Sequence, residues 1–447
     1  MLNRIIDNRL LLIAIHILIG FLATFSFFPK IFGFICIAVP IILLIYNKNY
    51  NEEALIFSAY IVGAEVFLRM SNSFILYETG KYAVILFLIL GFFLGKFNQK
   101  FGIQYLFYIL LLLIGILFTR VPEGESIRRA VVFNLSGPIV LGIAAIYFYK
   151  RKITKKIFLN ALFSMLLPIF SMVTYLYFKT PNLKDIVFGG VANFDASGGF
   201  GPNQVATAIG LGIFILTIFI LLKEKVTGYI ILDILFLTYF FYRGLLTFSR
   251  GGIITAIIAL LIFTIFNILS SRNVLKTVFK YVFVGAVFSL SIWLYTSNAT
   301  EGMLDNRYSG KNARGVEKSD ATSGRADIID VQFKNFILNP FGIGVGNGKF
   351  KRQQLDSNIT AISHNELGRL IEEHGVFGLI ILIGLLIIPL FNIWFSNNNQ
   401  RSFLIAFYLI WFLTINHSAM RIALPGFVYA LSLIIITDDD EEEENEE

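Results

Sequence analysis

Charge is scarce in this chain. Of its 447 residues only 15% are Asp, Glu, Lys or Arg, where a soluble domain carries about 25%. That shortage, with 56% hydrophobic residues, excludes an ordinary water-soluble globule. Cysteine is nearly absent. The one copy, Cys36, rules out an intrachain disulfide or a cysteine metal cluster and reads as a small core residue in an apolar run. Histidine is rare as well, with four copies. His16 falls mid-span and His417 near a helix end, and neither has a metal partner at ligand spacing. No small-residue cleavage site follows the apolar stretch after Arg4 and Arg9, so Met1–Phe21 reads as an uncleaved first span. No fixed-period repeat is present.

What is abundant is apolar length. There are 47 phenylalanines, and runs such as Leu106–Phe118 carry no charge. A spanning helix needs about 20 apolar residues. Fourteen segments qualify or come close: 10–28, 31–46, 54–69, 82–97, 102–118, 131–149, 157–178, 203–222, 228–246, 251–269, 276–296, 375–395, 402–418 and 422–437. Several are short, so the expected fold is all-α, a polytopic integral membrane protein of about 12–14 transmembrane helices. Lys-Arg-Lys-Ile-Thr-Lys-Lys at 150–156 is the strongest cytoplasmic anchor, and Lys223, Lys225, Arg272, Lys276 and Lys280 agree with it when the N-terminus is inside. Both termini are then cytoplasmic. The tail Asp438–Glu447 holds nine acids in ten residues and reads as a solvated cytosolic tail; without it the net charge rises from +7 to +16. The expected organisation is an N-terminal set of spans (1–244), a functional region (245–437) and that tail (438–447).

The same orientation leaves one long loop outside, about 297–364. Long loops without a domain of their own are usually functional. This one carries Arg307, Lys311, Arg314, Lys318, Arg325, Lys334, Lys349, Lys351 and Arg352, against the usual bias for positive charge inside. Two readings stand: long loops cross regardless of charge, or this face binds an anion such as a phosphate-bearing lipid. Arg69, Lys81, Arg120, Arg128, Arg129, Arg243, Arg250 and Arg421 lie on the same side.

The most informative stretch runs from Ser363 to Gly378. Ser363 and Glu366 have capping-box spacing, so a helix is expected to start there. Leu367, Leu370 and Ile371 share one side of it; Asn365, Glu366, Arg369, Glu372 and Glu373 share the other. That pattern predicts an amphipathic helix on the membrane surface, with Gly375 and Gly378 permitting a bend. His364 would fall in its first turn, where the helix dipole disfavours imidazolium and keeps the neutral form a general base needs. The free N–H groups there suit a phosphate. The plain alternative is a surface histidine at a cap. His374 lies on the apolar side and predicts packing. Ser249-Arg250-Gly251-Gly252 closes another span: Arg250 is either a snorkelling interface residue or a guanidinium aimed at a diphosphate, and the glycines would let bulky groups approach. Ser323-Gly324-Arg325 opens a second surface helix, with Ile329, Phe333, Phe336 and Ile337 at helical spacing and Pro340 ending it. Gly342, Gly344, Gly346 and Gly348 predict a flexible turn more than an anion nest. Glu65, Arg69, Glu78 and Lys81 form a looser group in which Glu65 and Arg69 can pair. Asn203, in Gly201-Pro202-Asn203-Gln204, either contacts sugar or caps a helix.

Together these residues resemble the O-antigen ligase/O-antigen polymerase superfamily. The ligase branch carries His, then Asn, Ser or Gln, nine residues, Gly, two residues and Gly. His364-Asn365, residues 366–374, Gly375 and Gly378 fit this without a gap. Ser249-Arg250-Gly251, Ser323-Gly324-Arg325 and Asn339-Pro340-Phe341-Gly342 resemble its other motifs, so the resemblance spans about 245–395. It implies a metal-independent, inverting transferase with no cofactor, acting at the periplasmic face of a bacterial inner membrane. The first outer loop, about 28–30, has no acid, in keeping with that. Implied partners are an undecaprenyl-diphosphate-linked glycan donor, membrane lipids and an acceptor that is either lipid A-core (ligase) or another lipid-linked repeat (polymerase); nucleic acid is not expected. By the resemblance His364 is the catalytic base, and Arg250 and Arg325 hold the diphosphate. Arg69, Lys81, Asn203, Arg307 and Asn365 are secondary candidates. A transporter or flippase of the same lipid-linked sugar is the main rival, though inverted repeats and midplane charge are not evident.

Overall fold

Each of the fourteen apolar segments contains a helix in the computed structural model, which describes residues 8–74, 76–95, 100–189, 191–268, 274–317, 325–355 and 364–438. The protein is a polytopic all-helical membrane protein. In chain order the first helices are α1 (Arg9–Leu22), α2 (Phe28–Asn47), α3 (Glu53–Met70), α4 (Thr79–Leu94), α5 (Ile103–Ile114, prolonged by a 3-10 turn to Phe118) and α6 (Ile127–Phe148). After strand β1 (Lys152–Thr154) come α7 (Lys155–Lys179), α8 (Pro202–Leu221), α9 (Ile230–Leu246), α10 (Arg250–Ile268) and α11 (Val274–Ala299). The long loop contributes α12 (Met303–Tyr308), α13 (Arg325–Leu338) and α14 (Gly348–Leu355); α15 (Glu366–Phe395), α16 (Asn398–His417), α17 (Leu424–Leu431) and β2 (Ile435–Thr437) complete the chain.

Among the described residues seven helices are long and apolar enough to cross a membrane on their own, and α1, α4 and α5 are shorter apolar helices. The charged α3 is buried almost throughout, packed against α7 at the centre of the bundle. Its Glu65 and Arg69 are tolerated there because other helices surround them. The last expected span departs from the sequence reading. Segment 422–437 is helical for only eight residues, then extends as β2, which pairs in parallel with β1: Lys152 with Ile435, Ile153 with Ile436 and Thr154 with Thr437.

That small sheet marks one face of the bundle. Near it Arg151 pairs with Glu52 at 2.8 Å, Asn49 donates to the Gly91 carbonyl at 3.1 Å, and Gln400 donates to the Ile436 carbonyl. The basic 150–156 segment and the chain beyond α17 therefore share a face. The 22-residue α6 leads from there to the opposite end, where its first turns meet α15; at 1.5 Å per residue it is about 33 Å long, a full hydrocarbon thickness. Loop helices α12 to α14 gather at this second end, the loop face.

Candidate active site

Helix α15 begins two residues later than its capping-box spacing predicts. Asn365 is the N-cap, its side chain accepting from the Leu367 and Gly368 amides at 2.9 and 3.2 Å. Ser363 lies outside the described residues, and Glu366 turns to Arg369 and to the Met420 amide (3.3 Å). His364 stands just before the cap, exposed, rather than inside the first turn. Asparagine caps as well as serine because its carbonyl reaches the same orphan amides.

The polar side of this helix does not face water. Glu366, Arg369, Glu372 and Glu373 are all buried. Arg369 pairs with Glu366 and with Glu373 (3.0 Å) and donates to the Asn134 carbonyl at 3.0 Å. Glu372 takes Arg352 at 3.0 Å and Asn335 at 2.8 Å. The expected surface helix is thus enclosed: Arg369 pairs along the helix itself, and the loop supplies the counter-charge for Glu372, which the helical wheel could not show. Its turn into the spanning part occurs at Gly375, where φ is +58° and ψ −135°, a conformation open in practice to glycine alone. A Cβ there would also overlap the Pro340 carbonyl. His374 is buried against Gly115, a packing position as expected.

Helix α13 lies alongside α15 in parallel. Gln332 abuts Gly368, Asn335 bonds Glu372, and the Pro340 carbonyl accepts from the Val376 amide at 2.7 Å. The pairing advances equally along the two helices, so their N-terminal ends point the same way. Arg325, the first residue of α13, is at the same end as His364; Lys318, Ser323 and Gly324 lie outside the described residues. The glycine loop that follows is neither flexible turn nor anion nest. Gly342, Gly344 and Gly346 all have positive φ, and the amides of Ile343 and Gly344 donate to the carbonyls of Glu372 and Glu373, each at 3.1 Å. Those N–H groups are consumed by protein acceptors.

A second group forms where α10 starts. Phe248, buried, has φ +55°, an uncommon strained state for a bulky residue. It turns the chain so that Ser249 donates to the Asn203 side chain at 2.8 Å, while the Phe248 carbonyl accepts from Arg307 Nε at 3.0 Å. Arg250 is half-buried at the helix start. It and Arg307 both oppose the rise of the Tyr308 hydroxyl, which burial pushes up to about 12. Gly251 and Gly252 serve packing rather than ligand entry: a Cβ on the first would strike the His417 ring, and one on the second the Ala206 carbonyl. His417 in turn meets Thr207 at 3.3 Å.

Arg69 and Lys81 are neutralised internally. Arg69 pairs with Glu65 (2.5 Å) and Glu78 (3.5 Å), and Lys81 pairs with Glu78 (2.5 Å) and donates to Ser136 at 2.9 Å. The connector Ser418–Ala423 joins the α3 group to the α15 group. Its Met420 amide reaches Glu366, its Arg421 carbonyl accepts from Arg69 at 3.0 Å, and its Ala423 amide reaches Glu65 at 2.6 Å. Burial, reinforced by Arg369, lowers Arg421 to about 10; its guanidinium lies 4.3 Å from the Phe133 ring centre. Sequence reasoning missed this connector. Its one signal is a small polar break with an arginine between two apolar segments.

Two clefts open at the loop face, of about 440 Å³ beside Arg120, Asn339, Asn347 and Lys351, and about 240 Å³ beside Arg129, Lys349, Arg369 and Glu373, with Phe350 lining both. Among the described residues no three His, Cys, Asp or Glu side chains converge as a metal site. Asn203, Arg250 and Arg307 thus form one cluster, with Arg69 reaching Gln204 beside it at 3.5 Å. His364 and Asn365 lie at the same end of the parallel pair α13–α15 as the start of α13. This face offers cations at helix starts for an anion and an exposed imidazole for a proton.

Residues 234–383 match the family model described as O-Antigen ligase. The matched stretch is about a third of the chain, and it contains Arg250, Arg307, Arg325 and His364. No curated protein matches the chain.

Proposed function

From residues 234–383, which fall in the O-antigen ligase superfamily, we propose that this membrane protein transfers a glycan from undecaprenyl diphosphate to an acceptor sugar hydroxyl at the periplasmic face. His364 takes the proton from the acceptor hydroxyl. The oxygen forms a bond to the anomeric carbon from the side opposite the leaving group, and the bond from that carbon to the phosphate oxygen breaks. The electron pair leaves on undecaprenyl diphosphate, whose growing charge Arg250 and Arg325 offset without metal. The anomeric centre inverts.

One observation carries this reading. Within the family-matched stretch, Arg250 stands at a helix start with no carboxylate in salt-bridge reach among the described residues, on the same face as an exposed His364 beside a capped helix. Unmatched guanidinium charge suits a diphosphate. The test is transfer by purified protein in vesicles with lipid-linked donor and sugar acceptor. His364→Ala is expected to lower the rate about 10²–10⁴-fold with unchanged membrane yield; transfer at the wild-type rate overturns the base assignment. Transport of donor without product would favour the flippase reading. Lipid A-core is the acceptor we favour, as the ligase-branch His-Asn motif suggests. A deletion strain that keeps polymer on its carrier supports it, whereas one that leaves single repeats on the core means polymerase.

A further inference from the structure

Five buried cations in this bundle have carboxylate partners: Arg69 with Glu65 and Glu78, Lys81 with Glu78, Arg151 with Glu52, Arg352 with Glu372, Arg369 with Glu366 and Glu373; buried Arg421 lies over the Phe133 ring and feels the charge of Glu366 and Glu373. Arg243, in the last turn of α9, breaks the pattern. It is 5% exposed, and among the described residues no carboxylate lies within salt-bridge reach of it. Its bonds are to neutral groups: Nη2 donates to Thr180 Oγ1 at 2.6 Å and to the Ala196 carbonyl at 3.5 Å, and Nε finds no acceptor. A guanidinium in a membrane protein without a counter-charge is costly and calls for an anion from outside the chain.

The surroundings define that anion. Helices α7, α9 and α11 all end at this level. Tyr242 lies against Tyr239 and Tyr295, with ring centres 6.5 and 5.6 Å apart. Tyr295 is 66% exposed and Tyr177 65%. Tyrosines at helix ends mark the headgroup level of a bilayer. Below them α9 and α11 present exposed apolar side chains, Ile231 and Leu235 on one and Leu290 and Leu294 on the other. Exposed Lys179 adjoins Thr180. A ligand suited to this place has a phosphate at the tyrosine level and hydrocarbon beneath it.

We propose that Arg243 binds the phosphate of a membrane lipid headgroup, which supplies the counter-charge missing from the chain. The guanidinium fork matches phosphate oxygens geometrically. The inference stands apart from glycan transfer, since it follows from charge and burial alone.

The test measures thermal unfolding of the purified full-length protein in neutral detergent, with added phosphatidylglycerol, with added neutral diacylglycerol, or with inorganic phosphate. Native mass spectrometry counts retained lipid. Wild type is expected to unfold at higher temperature with phosphatidylglycerol only. Arg243→Gln is expected to lose that gain and to retain phosphatidylglycerol about tenfold less or worse, while Arg243→Lys keeps part of it. Arg243→Met, which removes the uncompensated charge, is expected to match wild type without lipid. The proposal fails if wild type gains nothing from phosphatidylglycerol over the neutral lipid, or if Arg243→Gln gains as much as wild type. It also fails if inorganic phosphate alone gives the full effect, which would mean a free-anion site. Should the Gln and Met variants not fold, the wild-type and Arg243→Lys measurements still decide it.

Discussion

Two groups of charge share the loop face, and their surroundings separate them. Around α15 and α3 the cations are buried and each meets a glutamate: Arg369 with Glu366 and Glu373, Arg352 with Glu372, Lys81 with Glu78. Around the starts of α8 and α10 they are half-buried. Arg307 is anchored through the Phe248 carbonyl, and Arg250 has no carboxylate at hand among the described residues. The first group has spent its charge on the fold. In the second, it is the charge of Arg250 that the proposed reaction would use. Basic residues of the same face, alike in composition, thus divide by who their neighbours are.

This division can be broken by mutation. Arg369→Met leaves Glu366 and Glu373 buried without their cation, and removing one partner of a buried pair costs about 3–5 kcal/mol; thermal unfolding in detergent should show the largest loss of stability of any variant here. Arg250→Gln is expected to do the reverse: transfer falls about 10²–10³-fold, as when one donor to a developing anion is removed, with unfolding temperature unchanged. A stable Arg369→Met, or an Arg250→Gln that unfolds early, would erase the distinction. Asn365→Ala removes the cap of α15 at about 1 kcal/mol, read as a modest drop in unfolding temperature with the bundle intact. Lys334→Ala sharpens the low end of the scale. Its pair with Asp330 is exposed on both sides, 67% and 61%, so stability should change by less than about 0.5 kcal/mol.

Much of the fold was legible beforehand. Each of the fourteen apolar runs marked a helix because burial in lipid requires them to be continuous, and Pro340 ended α13 close to where its missing amide demands. The site was legible in part. His364 was expected inside a first turn and stands before it, because Asn365 rather than Ser363 takes the cap. The helix behind it was read as a surface helix because its polar side was charged; the residues that meet Glu372 on that side, Arg352 and Asn335, come from other elements, the loop helices that precede it. Likewise the glycines at 251–252 and 342–346 looked like room for a ligand or slack in a loop. Their neighbours, the His417 ring, the Ala206 carbonyl and the Glu372 and Glu373 carbonyls, fill that room.

What the chain determined by itself is its solvent. A sequence this apolar, with this little charge, must dissolve in a bilayer and must satisfy its backbone in helices. It also set the helix-length pattern and put the long basic stretch between its spans. Which charges remained open was decided only by the tertiary structure. Some pairs are local, as Glu65 with Arg69 and Arg369 with Glu373, but Arg151 with Glu52 and Arg352 with Glu372 join separate elements, and no local periodicity encodes a counter-charge that arrives from another helix.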